Sequence, residues 1–113
     1  LEPRLRSDIR DELSRRGLAE WTSTSKAETL LTVKVLHYTT RAKVKDRSDE
    51  TIKYFVELSI EATLMGRETG APVWNSGPVT RKESYLEGGL PDAREKAVDF
   101  AVRELADRMA HAF

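Results

Sequence analysis

The sequence predicts an α+β fold with element order α-β-β-β-α, an antiparallel sheet of long strands with two helices packed on one face. Three observations predict it. From Tyr54 the even positions Tyr54, Val56, Leu58, Ile60, Ala62 and Leu64 are apolar, and they alternate with Phe55, Glu57, Ser59, Glu61, Thr63 and Met65. Period-2 alternation puts one face of a strand on a core and turns the other toward water. This strand is about twice the usual ~5–6 residues, which suits a platform or plug better than an enzyme cleft. Apolar stripes of helical period, punctuated by Gly and Pro, bracket the strands at both ends of the chain.

The first helix is expected from about Pro3 to Arg16. Proline suits a first helical turn, and Leu5, Ile9 and Leu13 recur every fourth residue. Gly17 after Arg15-Arg16 is a C-terminal stop, since a left-handed residue there costs Gly nothing. Strand one is expected over Thr29 to Val44, with Leu31, Val33 and Val35 on one face and Leu30, Leu36 and Tyr38 on a second, partly polar face. The charged loop Lys45-Asp46-Arg47-Ser48-Asp49-Glu50 leads into strand two. The turn Gly66-Arg67-Glu68-Thr69-Gly70 fits a short hairpin whose left-handed residue is Gly70. Strand three runs from near Pro72 to about Tyr85, and Gly77-Pro78 marks a bulge or edge kink in it. Gly88-Gly89-Leu90-Pro91 is a break, after which Asp92 and Glu95 form a capping-box-like start for the last helix. That helix turns Ala97, Val98, Ala101, Val102, Leu105 and Met109 toward the core, with Phe100 beside them.

Composition narrows the function classes. A chain of 113 residues can build one core, so residues 1–113 are read as a single domain. The 19 Lys and Arg residues balance 19 Asp and Glu residues, so any basic patch must be local. There is no cysteine, which excludes disulfides and thiolate chemistry. No stretch approaches the ~18 apolar residues of a membrane span. The chain opens on Leu1-Glu2-Pro3 without an initiator Met, as a processed or trimmed chain would.

Catalytic and metal-binding signatures are missing from the pattern. His37 and His111 lack acidic partners at motif spacing, and a structural or solvated role fits them. Clustered Cys or His for zinc is absent, as are a phosphate-binding glycine loop and a nucleophile elbow. The expectation is a non-enzymatic protein with no catalytic residue, metal or cofactor. One charge pattern stands out: Arg41, Lys43 and Lys45 occupy alternate positions, and Arg47 continues the spacing into the loop. If the strand persists, they form a short basic ladder that could hold phosphates, with Arg81 and Lys82 adding charge from strand three. The same lysines would also serve as a solvated edge that discourages strand-to-strand aggregation. Trp74, Tyr85, Tyr38 and Trp21 could form an aromatic group, though core packing explains them more simply.

The ordered set of segments resembles the LptE family of lipopolysaccharide-assembly lipoproteins. Leu1-Glu2-Pro3-Arg4-Leu5 running into Ile9–Gly17 is similar to that family's first helix. The charged loop entering Ile52-Lys53-Tyr54-Phe55-Val56 is similar to one of its strands, and Gly66-Arg67-Glu68-Thr69-Gly70-Ala71-Pro72-Val73-Trp74 to its hairpin. Arg81-Lys82-Glu83-Ser84-Tyr85 before the alanine-rich helix completes the set. The resemblance implies an outer-membrane lipoprotein on the periplasmic side that plugs an LptD-type β-barrel, helps it fold, and binds lipopolysaccharide. It implies lipopolysaccharide contacts at Arg47 and, on a looser match, Arg94, to which the Arg41, Lys43 and Lys45 ladder adds. The family's first strand and lipidated cysteine would lie upstream of Leu1, so a missing N-terminal strand is expected. A periplasmic interaction module of the curli-secretion or penicillin-binding-protein-activator type shares the Thr69-Gly70…Trp74 hairpin and stays open as an alternative. A double-stranded-RNA-binding domain shares the element order, but charge neutrality and strand length oppose it, so no nucleic-acid partner is expected.

Overall fold

A computed structural model describes residues 1–18, 28–45 and 51–112. The elements are α1 (Glu2–Arg15), β1 (Thr29–Lys45), β2 (Thr51–Gly66), β3 (Pro72–Asn75), β4 (Val79–Tyr85) and α2 (Leu90–Ala112). β2 is central: β1 lies antiparallel along one edge, and β3 and β4 follow each other antiparallel along the other. The expected third strand is therefore two strands, giving the order α-β-β-β-β-α. Its break falls at Ser76-Gly77-Pro78, where the kink was expected.

Hydrogen bonding explains the break. Pairing to β2 shifts by one residue between β3 and β4, so the chain carries an extra residue there. Gly77 takes it up at φ +70°, a conformation that costs other residues about 1–2 kcal/mol. Asn75 Oδ1 accepts from the Gly77 N–H at 2.8 Å, and Ser76 Oγ accepts from the Ala62 N–H at 2.9 Å. Arg108 of α2 donates through Nη1 to the carbonyls of Ser76 (2.8 Å) and Pro78 (3.0 Å), which ties the bulge to the helix.

Both helices pack on one face. Val56, Leu58, Ile60 and Ala62 of β2 are fully buried, as their alternation predicts. Leu5, Ile9 and Leu13 of α1 join Leu58, Ile60 and Ala62 in one core with Ala97, Val98, Ala101, Val102, Leu105 and Met109 of α2. The helices run parallel, since Arg4 meets Glu95 at 2.9 Å and Arg16 meets Asp107 at 2.6 Å. Glu12, buried between them, holds Arg15 and Arg16. α1 ends in a Schellman motif: Leu18 N–H donates to Leu13 O at 2.9 Å and Gly17, at φ +71°, donates to Ser14 O at 3.1 Å. Gly70 closes the β2–β3 hairpin at φ +66°, donating to Gly66 O at 2.8 Å.

Two expectations are corrected. The first bond of α2 runs from Ala93 N–H to Gly89 O, so the helix starts at Leu90 and Asp92 lies inside its first turn. Pro91 needs no donor partner there, Asp92 complements the positive helix end, and Glu95 reaches Arg4 instead of a cap. On β1, a register shift between Val35 and His37 inserts Leu36 as an extra residue. The alternation therefore flips: Leu31, Val33 and Val35 face the core, but beyond the bulge it is Tyr38, paired with Leu58, that lies on that face.

The long strands make the molecule elongated, 60 × 25 × 24 Å. Its radius of gyration is 17.0 Å, against about 13 Å for a compact chain of this length.

Candidate functional site

With both helices on the inner face, no described element covers the other face of the sheet. Its residues follow from the register. β1 contributes Thr32, Lys34, His37, Thr39 and Arg41, β2 contributes Lys53, Phe55, Glu57, Ser59, Glu61 and Thr63, and β4 contributes Thr80, Lys82 and Ser84. Much of this surface is self-satisfied. Thr80 Oγ1 meets Ser59 Oγ at 2.9 Å, Asn75 Nδ2 donates to Thr63 Oγ1 at 2.9 Å, and Lys34 lies directly opposite Glu61. Glu57 sits between His37 Nε2 (3.3 Å) and Lys82 Nζ (3.5 Å).

Toward the β1–β2 hairpin end, the described residues of this face include Arg41, Lys53 and Lys82. Phe55 is half-buried with Lys82 Nζ 4.7 Å from its ring centroid, a cation–π contact. Arg41 lies directly across from Phe55, and Lys53 lies two residues before it on the same strand face. Among the described residues neither Arg41 nor Lys53 has an ion-pair partner. Arg41 and Lys53 beside this ring, with Lys82 shared between the ring and Glu57, suit an anion whose body is apolar. A guanidinium offers a bidentate fork to a phosphate, and the ammonium groups add point charges.

The structure gathers only part of the expected basic set. Arg41 is exposed within this cluster. Lys43 and Lys45 belong to β1, but the register shifts between Ala42 and Val44 and again between Val44 and Lys45. Their even spacing in the chain is thus not an even spacing along the sheet. Arg47 lies outside the described residues. Arg94 is exposed on α2 at the same end of the molecule, on the helix side, away from Arg41. Near it, hydrogen bonding to Glu95, then the charges of Asp8 and Glu95, raises the pKa of Arg4 above its ordinary value.

Lys82 and Arg81, adjacent in sequence, face opposite ways. Arg81 lies on the inner face over the Phe100 ring at 4.2 Å, bound to Glu83 at 2.8 Å. Lys53 and Phe55 were not among the expected site residues, because their place depends on cross-strand register. The aromatic group is not formed as one unit: Trp74 packs against the core, Tyr85 stacks on Tyr54 at 5.3 Å, and Tyr38 is exposed. Trp21 lies outside the described residues. No group of three or more metal-ligating side chains occurs among the described residues.

A sheet of this length, backed on one face by two parallel helices and carrying no assembled catalytic group among its described residues, belongs to a class known from bacterial lipoproteins of solved structure. The fold matches uncharacterized lipoprotein B of Nitrosomonas europaea with TM-score 0.70 and 16% identity, over 96% of this chain and 76% of that one. It matches a minor lipoprotein of Acinetobacter baumannii with TM-score 0.67 and 14% identity, over 96% and 82%. A Caulobacter crescentus protein gives TM-score 0.68 at 18% identity, over 96% and 79%. No curated protein matches the sequence. The lipopolysaccharide-assembly family LptE matches residues 1–113, and the chain belongs to that family. Its role is accordingly that of a lipopolysaccharide-assembly lipoprotein.

Proposed function

We propose that this chain is the non-enzymatic partner of an LptD-type β-barrel in the outer membrane. It fills the barrel lumen from the periplasmic side, helps the barrel fold, and contacts lipopolysaccharide on its way to the surface. Family membership supports the pathway. The elongated shape, with narrow dimensions of 25 and 24 Å, suits insertion into a lumen. The observation that carries the ligand reading is the cluster of Arg41, Lys53 and Lys82 around Phe55, on the face that the helices leave uncovered. Phosphates of the lipid A headgroup would meet the cations, and Phe55 would meet the first carbons of an acyl chain. Lys43, Lys45, Arg47 and Arg94 remain proposed lipopolysaccharide contacts, Arg94 from the helix side. Nothing in this mechanism breaks a covalent bond; the protein lowers the cost of holding an anionic amphiphile outside a bilayer.

Two measurements test it. Affinity isolation of the lipidated full-length protein from outer membranes should recover a large β-barrel protein at stoichiometric amounts. Recovery of a peptidoglycan synthase or a secretion channel instead would replace this reading with a general periplasmic interaction module. Purified protein carrying Arg41→Glu and Lys53→Glu should retain its fold by circular dichroism and bind lipopolysaccharide at least roughly tenfold more weakly, the effect of about 1.4 kcal/mol. Unchanged binding would remove the cluster from the ligand site.

A further inference from the structure

On the outer face of the sheet, Glu57 of β2 holds two partners at once. Its Oε1 lies 3.3 Å from His37 Nε2 on β1, and its Oε2 lies 3.5 Å from Lys82 Nζ on β4. Lys82 stands directly opposite Glu57, whereas His37 stands opposite Ser59 and reaches the carboxylate diagonally. His37 is on this face because of the extra residue at Leu36; unbroken alternation would turn it toward the core. Lys82 is shared in turn, since Nζ also lies 4.7 Å from the centroid of the Phe55 ring, beside Arg41 and Lys53. One carboxylate thus connects an imidazole to the cations around Phe55. The other charged groups near His37 are few. On β1 they are Lys34 and Arg41, and on β2 Glu61, which is diagonal to His37 on its other side and opposite Lys34. On β4 the residue level with His37 is the uncharged Thr80. Neither helix packs on this face, and the His37 side chain is 43% exposed, so it exchanges protons directly with solvent.

We infer that His37, Glu57 and Lys82 form a proton-sensitive relay that frees Lys82 for an anion beside Phe55 when the imidazole takes up a proton. The inference rests on the reading of the Phe55 cluster as an anion site. While the imidazole is neutral, the charge of Glu57 bears on Lys82 and competes with any ligand for it. Once His37 is protonated, the imidazolium answers that charge through Oε1, and Lys82 faces a neutralised pair. The field at the ring becomes more positive by the same step, so both effects favour anion binding. Exposed ion pairs are weak, and one of them changes an equilibrium about two- to fivefold. The sign is fixed by the chemistry: an imidazole changes charge between about pH 5 and about pH 8, so affinity rises as pH falls through that range.

Decanesulfonate, held below its micelle concentration, is the probe, because a sulfonate keeps its charge over this range whereas a phosphate monoester titrates near pH ~6. The native chain should bind it roughly threefold more tightly at about pH 5.5 than at about pH 8. His37→Gln should show the weaker affinity at both pH values, although it retains His111 in the last turn of α2. Glu57→Gln should bind at the higher pH about as tightly as the native chain does at the lower. Lys82→Met should lose most of the pH effect. Each variant should keep the native circular dichroism, since exposed charges contribute little to folding. Without ligand, the NMR signals of the Phe55 ring and of the Lys82 side chain should titrate in step with His37, and cease to do so in Glu57→Gln. Signals that ignore His37, or equal affinity at both pH values, would overturn the relay and leave the anion site standing. A pH effect that survives in full in Lys82→Met would also overturn it, because His37 then acts by its own charge alone. Absence of binding at either pH would overturn the anion site, and the relay's role at it falls with it.

Discussion

Replacing Arg108 with alanine isolates the contact that holds the broken strand to the last helix. Nη1 donates to Ser76 O at 2.8 Å and Pro78 O at 3.0 Å, and Nε donates to Glu104 Oε1 at 3.2 Å. Hydrogen bonds to a charged group are worth roughly 1.5–3 kcal/mol each. The side chain is 38% exposed, so water replaces part of what is lost, most of all at the Pro78 carbonyl. The helical ion pair with Glu104 adds only about 0.3–0.5 kcal/mol. The expected loss is about 2 kcal/mol, a large share of the ~5–15 kcal/mol that separates folded from unfolded domains. Urea unfolding should show a lower midpoint at unchanged slope, and Tm should fall by about 8 °C. Amide exchange at Ser76, whose N–H bonds Ala62 O at 2.9 Å, should speed up beyond the global effect. Glu104→Ala serves as the control, removing the ion pair but leaving both carbonyl contacts, and should cost under ~0.5 kcal/mol. If Arg108→Ala costs no more than Glu104→Ala, the carbonyl contacts do not stabilise the bulge and the account of the broken strand fails.

Three further outcomes can be checked by the same unfolding measurement. Leu58→Ala, at a position with no exposed surface in the middle of β2, should destabilise by about 2–5 kcal/mol, and a loss below ~1 kcal/mol would mean that this core is loosely packed. Gly77→Ala should cost about 1–2 kcal/mol through its positive φ alone, because a Cβ there would sit 3.7 Å from Arg108 Nη1, an ordinary contact. A neutral result would show that the bulge adopts another conformation. Glu12→Ala removes the buried carboxylate that pairs with Arg15 and with Arg16, which bridges to α2, and should cost roughly 1–3 kcal/mol; the loss should shrink when Asp107 is also replaced, since Arg16 bridges both.

Local chemistry was legible in the sequence wherever one strand or one helix decided it. The alternation from Tyr54 to Leu64 identified the buried row Val56, Leu58, Ile60 and Ala62 because a strand has only two faces. Gly17 and Gly70 were readable because positive φ has few alternatives. What escaped depended on how strands meet. The extra residue at Leu36 reverses the face of everything after it on β1, and nothing in Val35-Leu36-His37 announces a bulge. Arg41 thus faces the uncovered side beside Phe55 only because that bulge precedes it. The ladder of Arg41, Lys43 and Lys45 was sound as spacing, but register shifts at Lys43 and beyond break spacing from geometry. Lys53 and Lys82 join Arg41 through pairing with β2, which one sequence cannot supply.

Stability and proposed ligand contact therefore reside on opposite faces of one sheet. The inner face carries the fully buried side chains, each worth about 2–5 kcal/mol on truncation. The outer face carries ion pairs such as Lys82–Glu57, with side chains 54% and 27% exposed, and pairs of that kind contribute about 0–1 kcal/mol. A charge on the outer face can be reversed with little effect on folding, whereas the same change at Leu58 would dismantle the core. That separation lets the outer face present cations such as Arg41 and Lys53, which have no ion-pair partner among the described residues and which a buried site would have to neutralise. It also means that loss of lipopolysaccharide binding in an outer-face variant reads as loss of contact, because the helices and the inner row hold the sheet in place independently of it.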